Sequence, residues 1–151
     1  MGTTHSSPRV SISRDAPALY RAHAALDRAV RESGLDRGIL ELVKVRASQI
    51  NGCAYCVDMH TRDALAAGET PRRLFAVSVW RESPLFDDRE RAALALTDAM
   101  TRIADDGVPD DVYAAAAERF GGEELTALLY AISVINSWNR LAVATGAIFE
   151  P

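Results

Sequence analysis

The amino-acid sequence predicts an all-α protein, folded as a compact single-domain bundle of about seven helices. Apolar residues recur every three to four positions along most of the chain, the spacing that gives a helix one apolar face. No segment shows the strict alternation of apolar and polar residues that is typical of a strand. Glycines, prolines and an Asn-Gly pair fall between the periodic segments, where helices end and begin.

We expect one domain, because the chain has 151 residues and no linker, repeat or low-complexity segment divides it. Residues 1–15 are predicted to form a flexible polar tail, and residues 16–151 the helical domain. No apolar run approaches the roughly 20 residues that a membrane helix needs. The first residues also lack the basic and then apolar stretches of a signal peptide. These features predict a cytoplasmic protein with no membrane partner.

Four helices are predicted in the first half of the chain. Gly34 and Gly68 lie where glycine commonly ends a helix. Pro71 suits a first helical position, because its missing N–H would be unpaired there anyway. The pair Asn51-Gly52 is a turn signal. These helices span about residues 16–33, 36–49, 53–67 and 70–80. The first has an apolar face made by Leu19, Ala22, Leu26 and Val30.

Three more helices are predicted in the second half. Asp87 followed by Glu90 resembles a capping box, which opens the first of them. They span about residues 87–104, 109–120 and 123–146. The last is the most apolar and is predicted to be a central or interface helix. Trp80 and Trp138 are interpreted either as core residues or as interface area. These features are compatible with a homo-oligomer.

The charge balance argues weakly against a nucleic-acid partner. The chain has 17 basic and 21 acidic residues, a formal net charge of −4. Phosphate binding usually shows as a clustered excess of Lys and Arg, which this sequence lacks.

The two cysteines, Cys53 and Cys56, lie three residues apart. A disulfide that closes so short a loop removes little entropy from the unfolded chain. Structural disulfides are also rare in the cytoplasm. The pair therefore favours a chemical role. The alternative is that both cysteines are small, buried core residues.

Cys53, Cys56 and His60 share one helical face if the third helix begins after the Asn51-Gly52 turn. A thiol in the first turn lies near the positive end of the helix dipole, which favours the thiolate. His60 is placed to take or relay its proton. The turn would bring Glu41 back toward His60, whose proton it would accept. Alternatively, His60 is a structural histidine, and Glu41 is solvated and paired with nearby Lys44.

A structural zinc site is a further hypothesis, because Cys53, Cys56 and His60 offer three ligands. Such a site usually has four ligands, but His5 lies in the polar tail and His23 has no second Cys or His at ligand spacing. We therefore predict no metal and no cofactor. His23 borders the apolar face of the first helix and is predicted to be a hydrogen-bonded histidine at the edge of the core.

Residues 41–60, ELVKVRASQINGCAYCVDMH, resemble the alkylhydroperoxidase D-like branch of the carboxymuconolactone decarboxylase superfamily. The shared pattern is a glutamate, a Cys-x-x-Cys pair and a histidine four residues on, preceded at the cysteines by Ser-Gln-x-Asn-Gly. Residues 135–141, INSWNRL, resemble the Asn-x-Trp-Asn-Arg segment of many members. Asn139 and Arg140 in this segment are interpreted as pocket residues or as local caps. The resemblance covers most of the chain from about Pro17.

The resemblance implies an all-α fold that assembles as a dimer, trimer or hexamer. It implies that Cys56 is the attacking thiol, that Cys53 is its disulfide partner, and that His60 and Glu41 form a proton relay. The implied function is an antioxidant thiol-dependent peroxidase or disulfide reductase, acting on a hydroperoxide or a protein disulfide. The implied electron donor is a thiol, such as that of a lipoylated protein or a peroxiredoxin.

Tyr55 lies between the cysteines, where the founding branch carries a histidine. This difference limits the expectation to dithiol chemistry and leaves the redox partner open. The decarboxylase branch lacks the cysteine pair, so lactone decarboxylation is not expected. The alternative function is a redox-sensing protein whose disulfide switches oligomer or partner binding.

Overall fold

A computed structural model describes residues 9–149 and confirms the all-α fold class, with no strand in that range. All seven predicted helices are present, together with two helices of four residues each. The α-helices are α1 Ile12–Asp15, α2 Pro17–Arg31, α3 Arg37–Ile50, α4 Ala54–Ala66, α5 Pro71–Ala76, α6 Asp88–Thr101, α7 Ile103–Asp106, α8 Asp110–Arg119 and α9 Gly122–Thr145. None of these helices is long and apolar enough to cross a membrane.

Three boundaries differ from those predicted. The fourth predicted helix, α5, ends at Ala76. The chain continues as a 3-10 helix, Val77–Val79, in which the hydrogen bonds join residues three apart. The fifth predicted helix breaks at Arg102, whose backbone (φ −105°, ψ 34°) leaves the helical region. Helix α1 lies inside the segment predicted as a tail. The rest of that tail, residues 1–8 with His5, lies outside the described residues.

Helix α3 lies at the centre of the fold. Ten of its residues, 39–48, are buried, and α4, α6 and α9 pack around it. One buried cluster, with Phe120 and Ile132, joins α3 to α6, α8 and α9. A second, with Trp80 and Leu94, lies between α3, α4 and α6. Trp80 is therefore a core residue. The apolar α9, predicted to be central or at an interface, packs along α3.

Helix α2 covers little of the core. Of its predicted apolar face only Val30 is buried, while Leu19 is 75% exposed and Leu26 is 42% exposed. The helix contacts α9 and α1 and leaves much of its apolar surface in solvent. The predicted apolar face of this helix is therefore largely exposed on the single chain at Leu19 and Leu26.

A buried carboxylate, Asp98, ties α6 to α3 and to the segment after the 3-10 helix. Its oxygens accept hydrogen bonds from Arg46 at 2.6 and 3.1 Å, from Arg81 at 2.6 Å and from the indole N–H of Trp80 at 3.3 Å. Burial raises the pKa of Asp98, but the two arginines outweigh burial and leave that pKa below its ordinary value. Asp98 is therefore a structural anion.

We expect Asp98→Asn to lower the free energy of unfolding by about 2–3 kcal/mol at neutral pH, because buried Arg46 loses its charged acceptor. The folded-state pKa of Asp98 lies below the unfolded value, so its stabilisation is complete above about pH 4 and is lost as the pH falls through the lowered pKa. The gap between wild type and variant in the free energy of unfolding, measured by urea titration, should therefore shrink below about pH 4. An unchanged gap at lower pH would contradict this assignment.

Candidate active site

The turn between α3 and α4 positions the cysteine pair. Asn51 caps the end of α3, and Gly52 has a φ of +64°, which favours glycine. The N–H of Cys53 then donates to the carbonyl oxygen of Ser48 at 3.0 Å. Cys53 was predicted in the first turn of the next helix. It is instead the N-cap of α4, because its backbone (φ −86°, ψ 92°) is still extended. Cys56 therefore lies in the first turn.

Cys53 and Cys56 form a disulfide, with their Cα atoms 5.3 Å apart. Both residues are buried, each 2% exposed. The N–H of Cys56 donates to Sγ of Cys53 at 3.3 Å, as it would to the oxygen of a serine cap. A helix N-terminus favours negative charge on nearby sulfur. The pair therefore lies at disulfide distance beside the N-terminus of α4.

Glu41 on α3 and His60 on α4 face each other across the packed helices. Oε2 of Glu41 lies 3.5 Å from Nδ1 of His60, at the long limit of hydrogen-bond distance. Glu41 is 5% exposed and His60 is 7% exposed. Neither of the two atoms has a hydrogen-bond partner among residues 9–149. The interpretation of Glu41 as a solvated helix residue is therefore wrong.

A buried lysine compensates the charge of Glu41. Nζ of Lys44 lies 4.0 Å from Oε1 of Glu41 and 4.0 Å from Oδ1 of Asp27 on α2. Burial raises the pKa of the Glu41 carboxyl, but His60, Lys44 and Arg37 together outweigh burial, and its pKa lies below the ordinary value. Glu41 is therefore a carboxylate at neutral pH. The sequence indicated the pairing with Lys44, but nothing in it indicated Asp27.

Glu41, Cys56 and His60 line one cavity of about 950 Å³. Cys53 is not among its lining residues, so Cys56 is the cysteine nearer to an entering molecule. The walls combine aromatic and basic side chains, among them Tyr20, Tyr55, Trp138, Arg28, Arg31 and Arg37. All four predicted site residues thus lie together, three of them on the cavity wall and Cys53 bonded behind them.

An amide network fixes the turn before the cysteines to α9. Nδ2 of Asn51 donates to the side-chain oxygens of Asn136 and Asn139, each at 2.9 Å. Nδ2 of Asn139 donates in turn to Oγ of Ser48 at 3.0 Å. Arg140 donates to the backbone and side-chain oxygens of Asn136, both at 3.0 Å. Arg140 therefore pairs locally, whereas Asn139 joins α9 to the end of α3, and neither residue lines the cavity. Polar residues within the most apolar helix were the sequence signal for this network.

Trp138 lies on the cavity wall and stacks on His23, which is not among the lining residues. Their rings stack with centroids 3.8 Å apart, and the ring of Tyr20 meets Trp138 edge-on at 5.8 Å. His23 was predicted to be hydrogen-bonded. Its Nε2 is buried without a partner among residues 9–149, because the ring is oriented by stacking. Burial lowers the pKa of His23, and nearby Asp27 only partly opposes this.

The helical fold and this site define a protein of the carboxymuconolactone decarboxylase family, to which the chain belongs. The family profile matches residues 17–99, a range that contains Glu41, Cys53, Cys56 and His60. The chain is 39% identical over 140 residues to YdfG of Bacillus subtilis, an uncharacterized protein, covering 93% of this chain and 95% of YdfG.

Solved structures agree with this assignment. The chain matches ATU0492 of Agrobacterium tumefaciens with a TM-score of 0.93 and 39% identity, covering 96% of this chain and 99% of that one. ATU0492 is described as a protein of unknown function and as a candidate antioxidant defence protein AhpD. The predicted alkylhydroperoxidase D-like assignment is thereby confirmed. The debrominase Bmp8 shares the fold, with a TM-score of 0.81 at 20% identity over 90% of this chain and 73% of Bmp8.

Proposed function

We propose that the protein is an antioxidant enzyme, a thiol-dependent peroxidase or disulfide reductase that cycles between the Cys53–Cys56 dithiol and its disulfide. The observation that carries this proposal is the shared cavity, which brings Cys56, His60 and Glu41 together while Cys53 lies within disulfide reach. A nucleophile, a proton carrier, a group that orients it and a resolving thiol are the parts such a cycle needs. The confirmed family also takes its name from an enzyme.

In the proposed cycle, the Cys56 thiol passes its proton to His60, and the thiolate attacks the distal oxygen of the hydroperoxide. The O–O bond breaks, Cys56 becomes a sulfenic acid, and the alkoxide takes the proton from His60 to leave as an alcohol. The thiol of Cys53 then attacks the Cys56 sulfur, forming the disulfide and releasing water. The negative charge of Glu41 stabilises His60 while it carries the proton.

An external dithiol completes the cycle by reducing the disulfide and becoming oxidised itself. A lipoylated protein or a peroxiredoxin remains the proposed partner, in line with the family resemblance, and the cytoplasm the proposed compartment. Self-association into a homo-oligomer stays a prediction. It is supported by exposed apolar side chains on the single chain, with Leu19 75% and Phe75 80% exposed.

A stoichiometric titration tests the proposal. Reduced protein, freed of reductant, is mixed with limiting cumene hydroperoxide, and thiols are counted with a chromogenic disulfide. We expect two thiols to disappear for each hydroperoxide consumed, and sustained consumption once dihydrolipoamide is added. Loss of thiols with hydroperoxide consumption no faster than with dihydrolipoamide alone would exclude the peroxidase activity. It would favour the redox-sensing alternative.

A further inference from the structure

We propose that Glu41, His60 and Asp63 form a binding site for a divalent transition metal of the zinc type, and that occupation of this site reversibly inhibits the dithiol chemistry. The site uses no cysteine and differs in this from the structural zinc hypothesis. The inhibition rests on the proposed function, whereas the binding itself does not.

The ligand atoms of these three residues lie within 4.8 Å of one another. Nδ1 of His60 is 3.5 Å from Oε2 of Glu41 and 3.9 Å from Oδ2 of Asp63. In a tetrahedral zinc site with bonds of about 2.0–2.1 Å, two ligand atoms lie roughly 3.3 Å apart. The two distances from His60 are close to this value, and the half-exposed Asp63 side chain would move further to enclose an ion, with the fourth position open to water.

Two of the three ligands lack other partners. Oε2 of Glu41 and Nδ1 of His60 are buried and have no hydrogen-bond partner among residues 9–149. The side chains of both residues are more than nine-tenths buried, at 7% and 8% exposure. Unpaired buried polar atoms are costly, and a cation bound between them would satisfy both. Asp63 has a side chain that is 54% exposed and lies on the cavity wall, so an ion can enter from solvent.

The charges suit a dication. The carboxylates of Glu41 and Asp63 neutralise a 2+ ion, and neutral imidazole adds no charge. Lys44 faces the other oxygen of Glu41, Oε1, at 4.0 Å and is itself opposed by Asp27. Arg37 also faces Glu41 and weakens the site to some extent. The mixed nitrogen and oxygen ligands favour zinc-type ions over Mg²⁺ or Ca²⁺, which prefer oxygen alone.

Zinc binding is measured on the oxidised protein, in which the disulfide leaves no thiol to bind metal. Competition against a chromogenic chelator should give one Zn²⁺ per chain, with affinity lowered about tenfold or more in Asp63→Asn. Asp58→Asn is the matched control on the same helix, since Asp58 pairs with Arg62 at 2.6 Å and is not in the site. Cobalt should give visible absorption without a thiolate band.

Equal affinity of wild type and Asp63→Asn would overturn the site. So would binding that appears only in reduced protein and is lost in Cys53→Ser/Cys56→Ser, because the thiols would then hold the metal. Hydroperoxide turnover should be inhibited by Zn²⁺ and restored by chelator in wild type, and less sensitive to Zn²⁺ in Asp63→Asn. Zinc binding by a protein without turnover would leave the site in place and overturn the proposed function alone.

Discussion

Changing Cys56 to serine is expected to lower hydroperoxide turnover by a factor on the order of 10³ or more, to the background level. The serine hydroxyl is not ionised at neutral pH and does not replace the thiolate as an attacking group. Cys53→Ser should differ in kind. Cys56 still lines the cavity in this variant, so the first hydroperoxide is reduced and the protein stops at the sulfenic acid.

Stopped-flow mixing and mass spectrometry with a sulfenic-acid trap measure both outcomes. The trap should label Cys56 in Cys53→Ser, and neither residue in Cys56→Ser. Both variants remove the disulfide, which closes a loop too short to add much stability, so their melting temperatures serve as matched controls. A sulfenic acid on Cys53 in Cys56→Ser would reverse the assigned roles of the two sulfurs.

The sequence predicted the order of the helices because their signals are local. Apolar spacing, Gly34, Pro71 and the Asp87–Glu90 capping box act within a few residues of their own helix. The structure contains that capping box, and α6 begins directly after Asp87. The break at Arg102 was missed, because the periodic apolar pattern runs through it.

The candidate site was predictable where its residues lie on adjacent helices joined by a short turn. Spacing placed Cys56 and His60 on one face, and the turn at Asn51 brought Glu41 opposite. Contacts between residues far apart in the chain were not predictable. Asp27 reaches Lys44 from another helix, and no local pattern encodes that pairing.

The same limit applies to the amide network. Asn139 lies 88 residues beyond Asn51, and only folding of α9 onto α3 joins them. The exposed apolar face of α2 shows a further limit of local patterns. Its periodicity correctly predicted a helix but could not say whether the partner of that face belongs to the same chain.

His60→Gln is expected to slow disulfide formation by hydroperoxide about 10²–10⁴-fold, the usual contribution of a positioned acid–base group. Glu41→Gln should also slow it, by a smaller factor, because Glu41 acts through His60 at 3.5 Å. The pKa of Glu41 is lowered, so its carboxylate stays ionised above that value, and the loss in Glu41→Gln should persist across about pH 5 to 8. Ultraviolet titration of the thiolates in the same variants reports proton removal directly.

The double variant separates a relay from two independent effects. If Glu41 acts only through His60, then Glu41→Gln should cost nothing further in the His60→Gln protein, and the two effects should be strongly non-additive. Lys44 pairs with the other carboxylate oxygen of Glu41. This ion pair is therefore lost in Glu41→Gln and kept in His60→Gln. Additive losses would mean that Glu41 affects the reaction through its charge alone and not through His60. Coincident thiolate titration curves for wild type and Glu41→Gln would remove Glu41 from thiol activation and leave its buried charge a structural partner of Lys44.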